Sequence, residues 1–436
     1  MKGQCFAITL LRQARCALSV ALLCAAALTL LVSCGSEEPA PTEAPAATPV
    51  PGAALQGSSG MSDTSGVMPD RIVFGQSAAF TGPARELGIN MRLGIQAAFE
   101  EANQGGGVHG RQLSLVSLDD TYEPELAATN TRELIQDEGV FALIGEVGTP
   151  TSRSATPVAA DANVPFVAPF TGAAFLRDVD TWDNIINMRA SYNDETEEMV
   201  KRFTEDLGIE RIGVLYQDDS FGRAGYNGTM AALERRGMEP VAVGLYPRNT
   251  TAVKTALLDL SKGRPQGIIM VGAYNPIGEF ILWAKETRLL NDAEHEAKFI
   301  AISFVGSNAL AEKLGSKGEG VYVTQVVPFP TDTSLPIVSS YLKALAGFDP
   351  GAVPGFVSFE GYLAGRLAIA GLDRCGRDVN RTCFMDSLLG GSTMDIGGFP
   401  LSYSSEDNQG SDTVFLTVIG ADGQYHPIDN LGDAVD

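Results

Sequence analysis

The chain has 436 residues, 44% of them hydrophobic, with 31 Lys and Arg against 53 Asp and Glu and a formal charge of −22. So acidic a globular composition repels nucleic acid and anionic lipid headgroups, and no basic patch or aromatic-basic stripe offsets it. The histidines His109, His295 and His426 fall in turns or polar segments, and no H-E-x-x-H, C-x-x-C or Walker A spacing occurs, so neither a metal, a cofactor nor an enzymatic activity is expected.

At the amino end Lys2, Arg12 and Arg15 precede the apolar run "CALSVALLCAAALTLLV", and Ser33, Cys34 and Gly35 follow it. A charged start, an apolar middle and a small-residue exit read as an export signal over residues 1–33, with a membrane anchor of similar length as the alternative. Either reading puts the remainder outside the cytoplasm. Leu31-Val32-Ser33-Cys34 resembles the bacterial lipobox, which implies cleavage before Cys34 and a lipid on it. Residues 34–69 are rich in Pro, Ala, Glu, Ser, Thr and Gly, lack the large side chains a core needs, and are expected to be a tether. The folded part is expected from Asp70. Outside the signal and Cys34, the remaining cysteines are Cys375 and Cys383 in "CGRDVNRTC", a short-loop disulfide in an exported protein or else two free thiols.

From Arg71 onward short β-rich runs alternate with helical patterns. "RIVFGQSAAF" reads as a strand; Leu87, Met91, Ile95, Ala98, Phe99 and Ala102 then recur at helical spacing. "NQGGGVHGR" contains Gly105, Gly107 and Gly110 at the G-x-G-x-x-G spacing of dinucleotide sites. Here a helix enters the glycines and the strand "LSLVSLDD" leaves them, the reverse of what a phosphate loop needs, so they form a helix end and a turn. The strands "FALIGE", "PFVAPF" and "IINMRA" follow, then "RIGVLYQDD", "PVAVGLY", "GIIMVGA", "FIAISF" and "GVYVTQVV", separated mostly by helical stretches such as "DETEEMVKRFTEDLG". Several are apolar throughout, the mark of parallel sheets covered on both faces. The fold class is therefore α/β, with two doubly wound parallel-sheet lobes. A helical stretch from Leu335 to Leu389 and a late strand, "TVFLTVIG", complete the chain.

The segment "FTGPARELGINMRLGIQAAFEEANQGGGVHGRQLSLVSLDDTYEPELAATNTRELI" resembles the amino-terminal signature of type I periplasmic substrate-binding proteins of ABC transporters, in the Leu/Ile/Val-binding branch. The likeness continues through "ALIGEVGTPTS", "VPFVAPFTGA", "RIGVLYQDDSFGRAG", "IIMVGAYNP", "SFVGSNAL" and "GVYVTQVVP". It implies two lobes joined by three crossovers with a ligand cleft between them. By motif order the first lobe is 70–191 plus 329–390 and the second 192–328 plus 391–430.

Strand ends would then line the cleft with Phe80, Asp120, Tyr122, Thr149, Thr151, Ser152, Phe170 and Thr171 from the first lobe, and Asn193, Phe221, Tyr274 and Phe304 from the second. In amino-acid-binding members the loops matching Thr149–Ser152 and Thr171–Ala173 hold the ligand carboxylate; the same hydroxyls could instead cap helices. Those members use acidic residues for the ammonium at positions that match Asn193 and Phe304 here, although a one-residue slip would bring Asp194 into place. A buried ammonium without a carboxylate costs several kcal/mol, on the order of a thousandfold in affinity. The aromatic residues instead point to an apolar ligand: an aromatic or other carboxylic acid, or a sterol- or hopanoid-like lipid. The resemblance implies a periplasmic, lipid-anchored receptor that closes on a small molecule and presents it to an ABC permease or other membrane transport component. An amino-acid receptor, or a sensor or lipid shuttle, are the alternatives.

Overall fold

The computed structural model describes residues 63–291, 295–391 and 393–433; the expected signal, Cys34 and most of the tether lie outside the described residues. Residues 63–69 are not tether. Gly66 O accepts from Val73 N at 2.9 Å, Val67 bridges Ile72, and Asp63 O accepts from Arg381 N at 2.9 Å, so the folded part already includes Asp63.

The first lobe runs β1 (Arg71–Ala78), α1 (Arg85–Gln104), β2 (Gln112–Asp119), α2 (Pro124–Gln136), β3 (Ala142–Ile144), α3 (Thr149–Asp161), β4 (Phe166–Val167) and β5 (Ile185–Ile186). Its sheet is parallel, in the order β2-β1-β3-β4-β5. The chain crosses into α4 (Tyr192–Glu205), β6 (Ile212–Gln217), α5 (Ser220–Glu234), β7 (Ala242–Tyr246), α6 (Lys254–Gly263), β8 (Gly267–Val271), α7 (Tyr274–Thr287) and β9 (Lys298–Ala301). A 3₁₀ turn (Ser303–Val305), α8 (Ser307–Leu314) and β10 (Val321–Gln325) follow. It returns through α9 (Pro336–Phe348), α10 (Phe356–Cys375), α11 (Arg381–Leu389) and a hairpin, β11 (Thr393–Asp395) and β12 (Pro400–Ser402), then crosses back to β13 (Phe415–Ile419) and β14 (Tyr425–Ile428). The second sheet has the order β14-β13-β10-β9-β8-β6-β7, antiparallel only where β13 and β14 join.

The third crossover comes later than the motifs suggest. Gly397 O accepts from Ile337 N on α9 at 2.9 Å, which keeps the hairpin with the first lobe past residue 390, and the return runs beside the first crossover through Asn187 and Gln409.

The glycine run is a turn, as its order predicts: Gly105 ends α1, and Gly106, Gly107 and Gly110 all have positive φ. Packing in the first lobe rests on close contact of α1 with α10. A Cβ at Gly94 would fall 1.9 Å from Ser358 O and one at Gly361 2.3 Å from Met91 O, so only glycine lets the two backbones meet. The Cys375 and Cys383 sulfurs are bonded, tying the end of α10 to α11.

Candidate functional site

Parallel sheets expose ligand sites beyond the carboxyl ends of their strands. Here those ends meet across the lobe junction in a ring cluster centred on Phe304, whose centroid lies 4.5 Å from Phe221, 5.3 Å from Phe170 and 6.2 Å from Tyr122; Tyr192 stands 5.5 Å from Phe221. Each of these rings is at most 1% exposed. Tyr122 and Phe170 belong to the first lobe and Phe221 and Phe304 to the second, so the structure is that of closed lobes. Tilted pairs at such separations gain about 0.5–1.5 kcal/mol beyond their buried area.

Tyr122 reaches this position through an unusual backbone. Thr121 and Tyr122 both have positive φ, 52° and 64°, which costs on the order of 1–3 kcal/mol each. Two carboxylates offset that strain: Asp119 Oδ1 accepts from Thr121 N at 2.9 Å and Asp120 Oδ1 from Tyr122 N at 2.8 Å. Opposite the ring, Gly148 (φ 105°) leaves no room for a side chain, since a Cβ there would lie 2.2 Å from the Tyr122 ring.

Gly148 also precedes α3, which has no side-chain cap. Thr149 Oγ1 lies 2.7 Å from Thr171 Oγ1, Thr171 Oγ1 donates to the Tyr192 hydroxyl at 3.2 Å, and Ser152 Oγ is buried without a hydrogen-bond partner. An uncapped helix amino end with buried hydroxyls beside it is suited to an anion. Burial pushes the Tyr192 hydroxyl up to about 12, so it stays a donor at neutral pH. Thr151 takes neither a ligand nor a capping role: its hydroxyl donates back to the Val147 and Gly148 carbonyls inside the chain's own turn.

Acidic side chains surround the rings, and nearly all of their oxygens are committed. Asp120 Oδ2 accepts from Ser77 Oγ at 2.9 Å, and burial, with Asp119 and Glu123 nearby, raises the Asp120 carboxyl to about 7. Asp219 caps α5 through Phe221 N and Gly222 N and accepts from Gln217 Nε2 at 2.6 Å. Glu195 accepts from Ser303 N, Ser303 Oγ and Thr324 Oγ1 at 2.9, 2.9 and 2.6 Å. Glu146 accepts from Ser77 N at 3.2 Å through Oε1, while its Oε2 is buried without a partner; burial and the Asp120 charge drive this carboxyl far above the usual range, toward the neutral acid.

Among the sequence-derived residues, Tyr122, Phe170, Phe221 and Phe304 come together with Thr149, Ser152 and Thr171, and Asp120 supports them from beneath. Phe80 sits at the rim with its ring 4.0 Å from the Arg92 guanidinium, and the Tyr274 hydroxyl accepts from Glu86 N at 3.5 Å across the junction. Asn193 is a correction: it is exposed, with Oδ1 turned toward Gly228 of α5, and does not enter the cleft. Its neighbour Asp194 is consumed in a capping box with Ser191, so the slipped alignment supplies no cleft acid either. The inward residues of α4 are Tyr192 and Glu195, and the "SYND" box carried that signal, since it fixes where the helix starts and hence which face turns in. Arg189, buried beside Phe170, was also missed; a lone arginine before a helix has no sequence mark of burial.

The lobes are clasped at the lip of the cleft. Arg248 NH2 meets Glu123 Oε2 at 2.6 Å, Asn249 Nδ2 donates to Glu123 Oε1 at 2.8 Å, and Asn275 Nδ2 donates to Pro83 O at 2.8 Å. A groove of about 730 Å³ lies elsewhere, on the flank of the junction between Glu86, Glu312, Phe329 and Tyr425. Its walls include exposed Asn308, Glu312 and Asp422, whereas the cleft has convergent buried polar groups, which makes the cleft the candidate site.

Two α/β lobes closing on a buried, mixed aromatic and hydroxyl cleft define a solute-binding protein. Residues 71–424 match the family described as periplasmic binding protein, and the chain belongs to that family. Its members are non-enzymatic receptors that work in the periplasm and serve membrane transporters. A "possible leucine/isoleucine/valine-binding protein" from Rhodopirellula baltica SH 1 is 38% identical and superposes with a TM-score of 0.77 over 82% of this chain and 96% of that one. The leucine-, isoleucine-, valine-, threonine- and alanine-binding protein of Pseudomonas aeruginosa is 24% identical over 70% of this chain and 79% of its own. A branched-chain amino acid transporter substrate-binding protein of Streptococcus pneumoniae, solved with isoleucine, shares the fold at 17% identity, with a TM-score of 0.69 over 82% of this chain and 99% of that one.

Proposed function

We propose that this chain captures a small, largely apolar carboxylic acid between its lobes and hands it to an ABC transporter, from a position tethered to the membrane through Cys34. The observation that carries this reading is the pairing of an uncapped α3 amino end, with the Thr149, Thr171 and Tyr192 hydroxyls beside it, with rings whose neighbouring acids are already bound or neutral. The carboxylate would sit at the helix end, and the apolar body would lie among Tyr122, Phe170, Phe221 and Phe304. Ligand contacts to both lobes favour the closed state, which is the form a transporter would read.

A second reading is a branched-chain amino acid receptor, as the names of the relatives suggest. The uncommitted Glu146 Oε2 favours it, because that oxygen could take an ammonium. Native mass spectrometry of protein purified from its own host, with identification of the co-purifying molecule, separates the two: a carboxylic acid without an amine supports the proposal, and leucine, isoleucine or valine supports the second reading.

A further inference from the structure

The Arg189 guanidinium, 1% exposed, lies where the first crossover leaves β5. It is held from both lobes at once. NH2 stands 3.5 Å from Glu195 Oε1 and donates to Ser303 Oγ in the second lobe, and NH1 stands 3.5 Å from Glu360 Oε1 on α10 in the first. Its plane also lies 4.9 Å from the Phe170 centroid and 6.0 Å from that of Tyr192. Ser303 immediately precedes Phe304, the centre of the ring cluster.

We infer that Arg189 is a positioning residue that couples the ring pocket to lobe closure, an inference that rests on the cleft being the ligand site. Glu195 is anchored within its own lobe by Ser303 and Thr324, so Arg189 stays with it when the lobes part. Glu360 travels with α10 and loses its cation. The Arg189–Glu360 pair is made only with the lobes closed, so its attraction lowers the free energy of the closed form relative to the open one. Closure thereby fixes the guanidinium against Phe170 while Ser303 holds Phe304, and the pocket is completed only when the interlobe ion pair forms.

Glu360→Gln tests this without leaving an unpaired charge, because Arg189 keeps Glu195. Burial of Glu360 is costly in itself, so removal of its charge is expected to leave the melting temperature unchanged or raised. The apparent Kd for 4-methylpentanoate is expected to rise about tenfold as the closed population falls. Small-angle scattering of the ligand-free protein should show a larger radius of gyration for the variant than for wild type. An unchanged Kd, or a Kd and melting temperature that worsen together, would reduce Glu360 to a structural role and overturn the inference. If wild type fails to bind 4-methylpentanoate, the ligand reading falls, and scattering alone decides the coupling: equal radii reject it and a larger variant radius supports it.

Discussion

Asp120 offers a quantitative test of how the cleft floor is built. It is fully buried, and burial lifts its carboxyl from 3.8 to about 7, so the fold favours the protonated form. The unfolded chain has no such preference. Stability from this group is therefore complete below the unfolded value and is lost as pH rises through about 7. The shift of about three units is worth about 4 kcal/mol in all, of which about two units fall above pH 5, so the loss between pH 5 and pH 8 is about 2–3 kcal/mol for Asp120 alone. Glu360, lifted to about 7 by burial against the opposing pull of Arg189, adds a loss of the same sign. Asn in place of Asp120 mimics the neutral acid, keeps an acceptor for Tyr122 N and can donate to Ser77 Oγ. Urea denaturation at pH 5, 6, 7 and 8 should thus show wild-type stability falling with pH and Asp120→Asn falling by about 2–3 kcal/mol less. A wild-type profile that is flat or rising over this range, or a variant that follows the same slope, would refute the reasoning.

Three further outcomes follow from the same geometry. Thr171→Val keeps the volume but breaks the hydroxyl chain from Thr149 to Tyr192, so calorimetry should show carboxylate affinity falling about tenfold or more, with a far smaller effect on melting temperature. Gly148→Ala combines a φ of 105° with a Cβ 2.2 Å from the Tyr122 ring, and should lose more than about 2 kcal/mol of stability by denaturant titration, along with binding. Arg248→Ala releases the lip clasp on Glu123 and should raise the ligand dissociation rate in stopped-flow fluorescence, with the larger difference at low salt.

Much of the scaffold was legible because its signals are local. Uninterrupted apolar runs such as "GIIMV" and "FIA" are buried strands, and Gly106, Gly107 and Gly110 adopt the positive φ that a turn between helix and strand requires, while Gly105 does not. The ring cluster was largely legible too, since strand ends fix which side chains reach the junction. What escaped depends on pairing between distant segments. "DETEEMV" carries only a helical pattern, and nothing in it marks Glu195 as fully buried; Ser303 and Thr324, more than a hundred residues away, supply its donors. Asn193 failed for a different reason: a shift of one residue on a helix turns a side chain by about 100°, enough to move it from the cleft to solvent.

Calorimetric titration with leucine and with 4-methylpentanoate, which differ only by the α-ammonium, tests the central claim most directly. With the acids around the rings committed to Ser77, Gln217 and Ser303 or held neutral, 4-methylpentanoate should bind at least about a hundredfold more tightly. Tighter binding of leucine would show that Glu146 or Asp120 accepts an ammonium and would contradict the account.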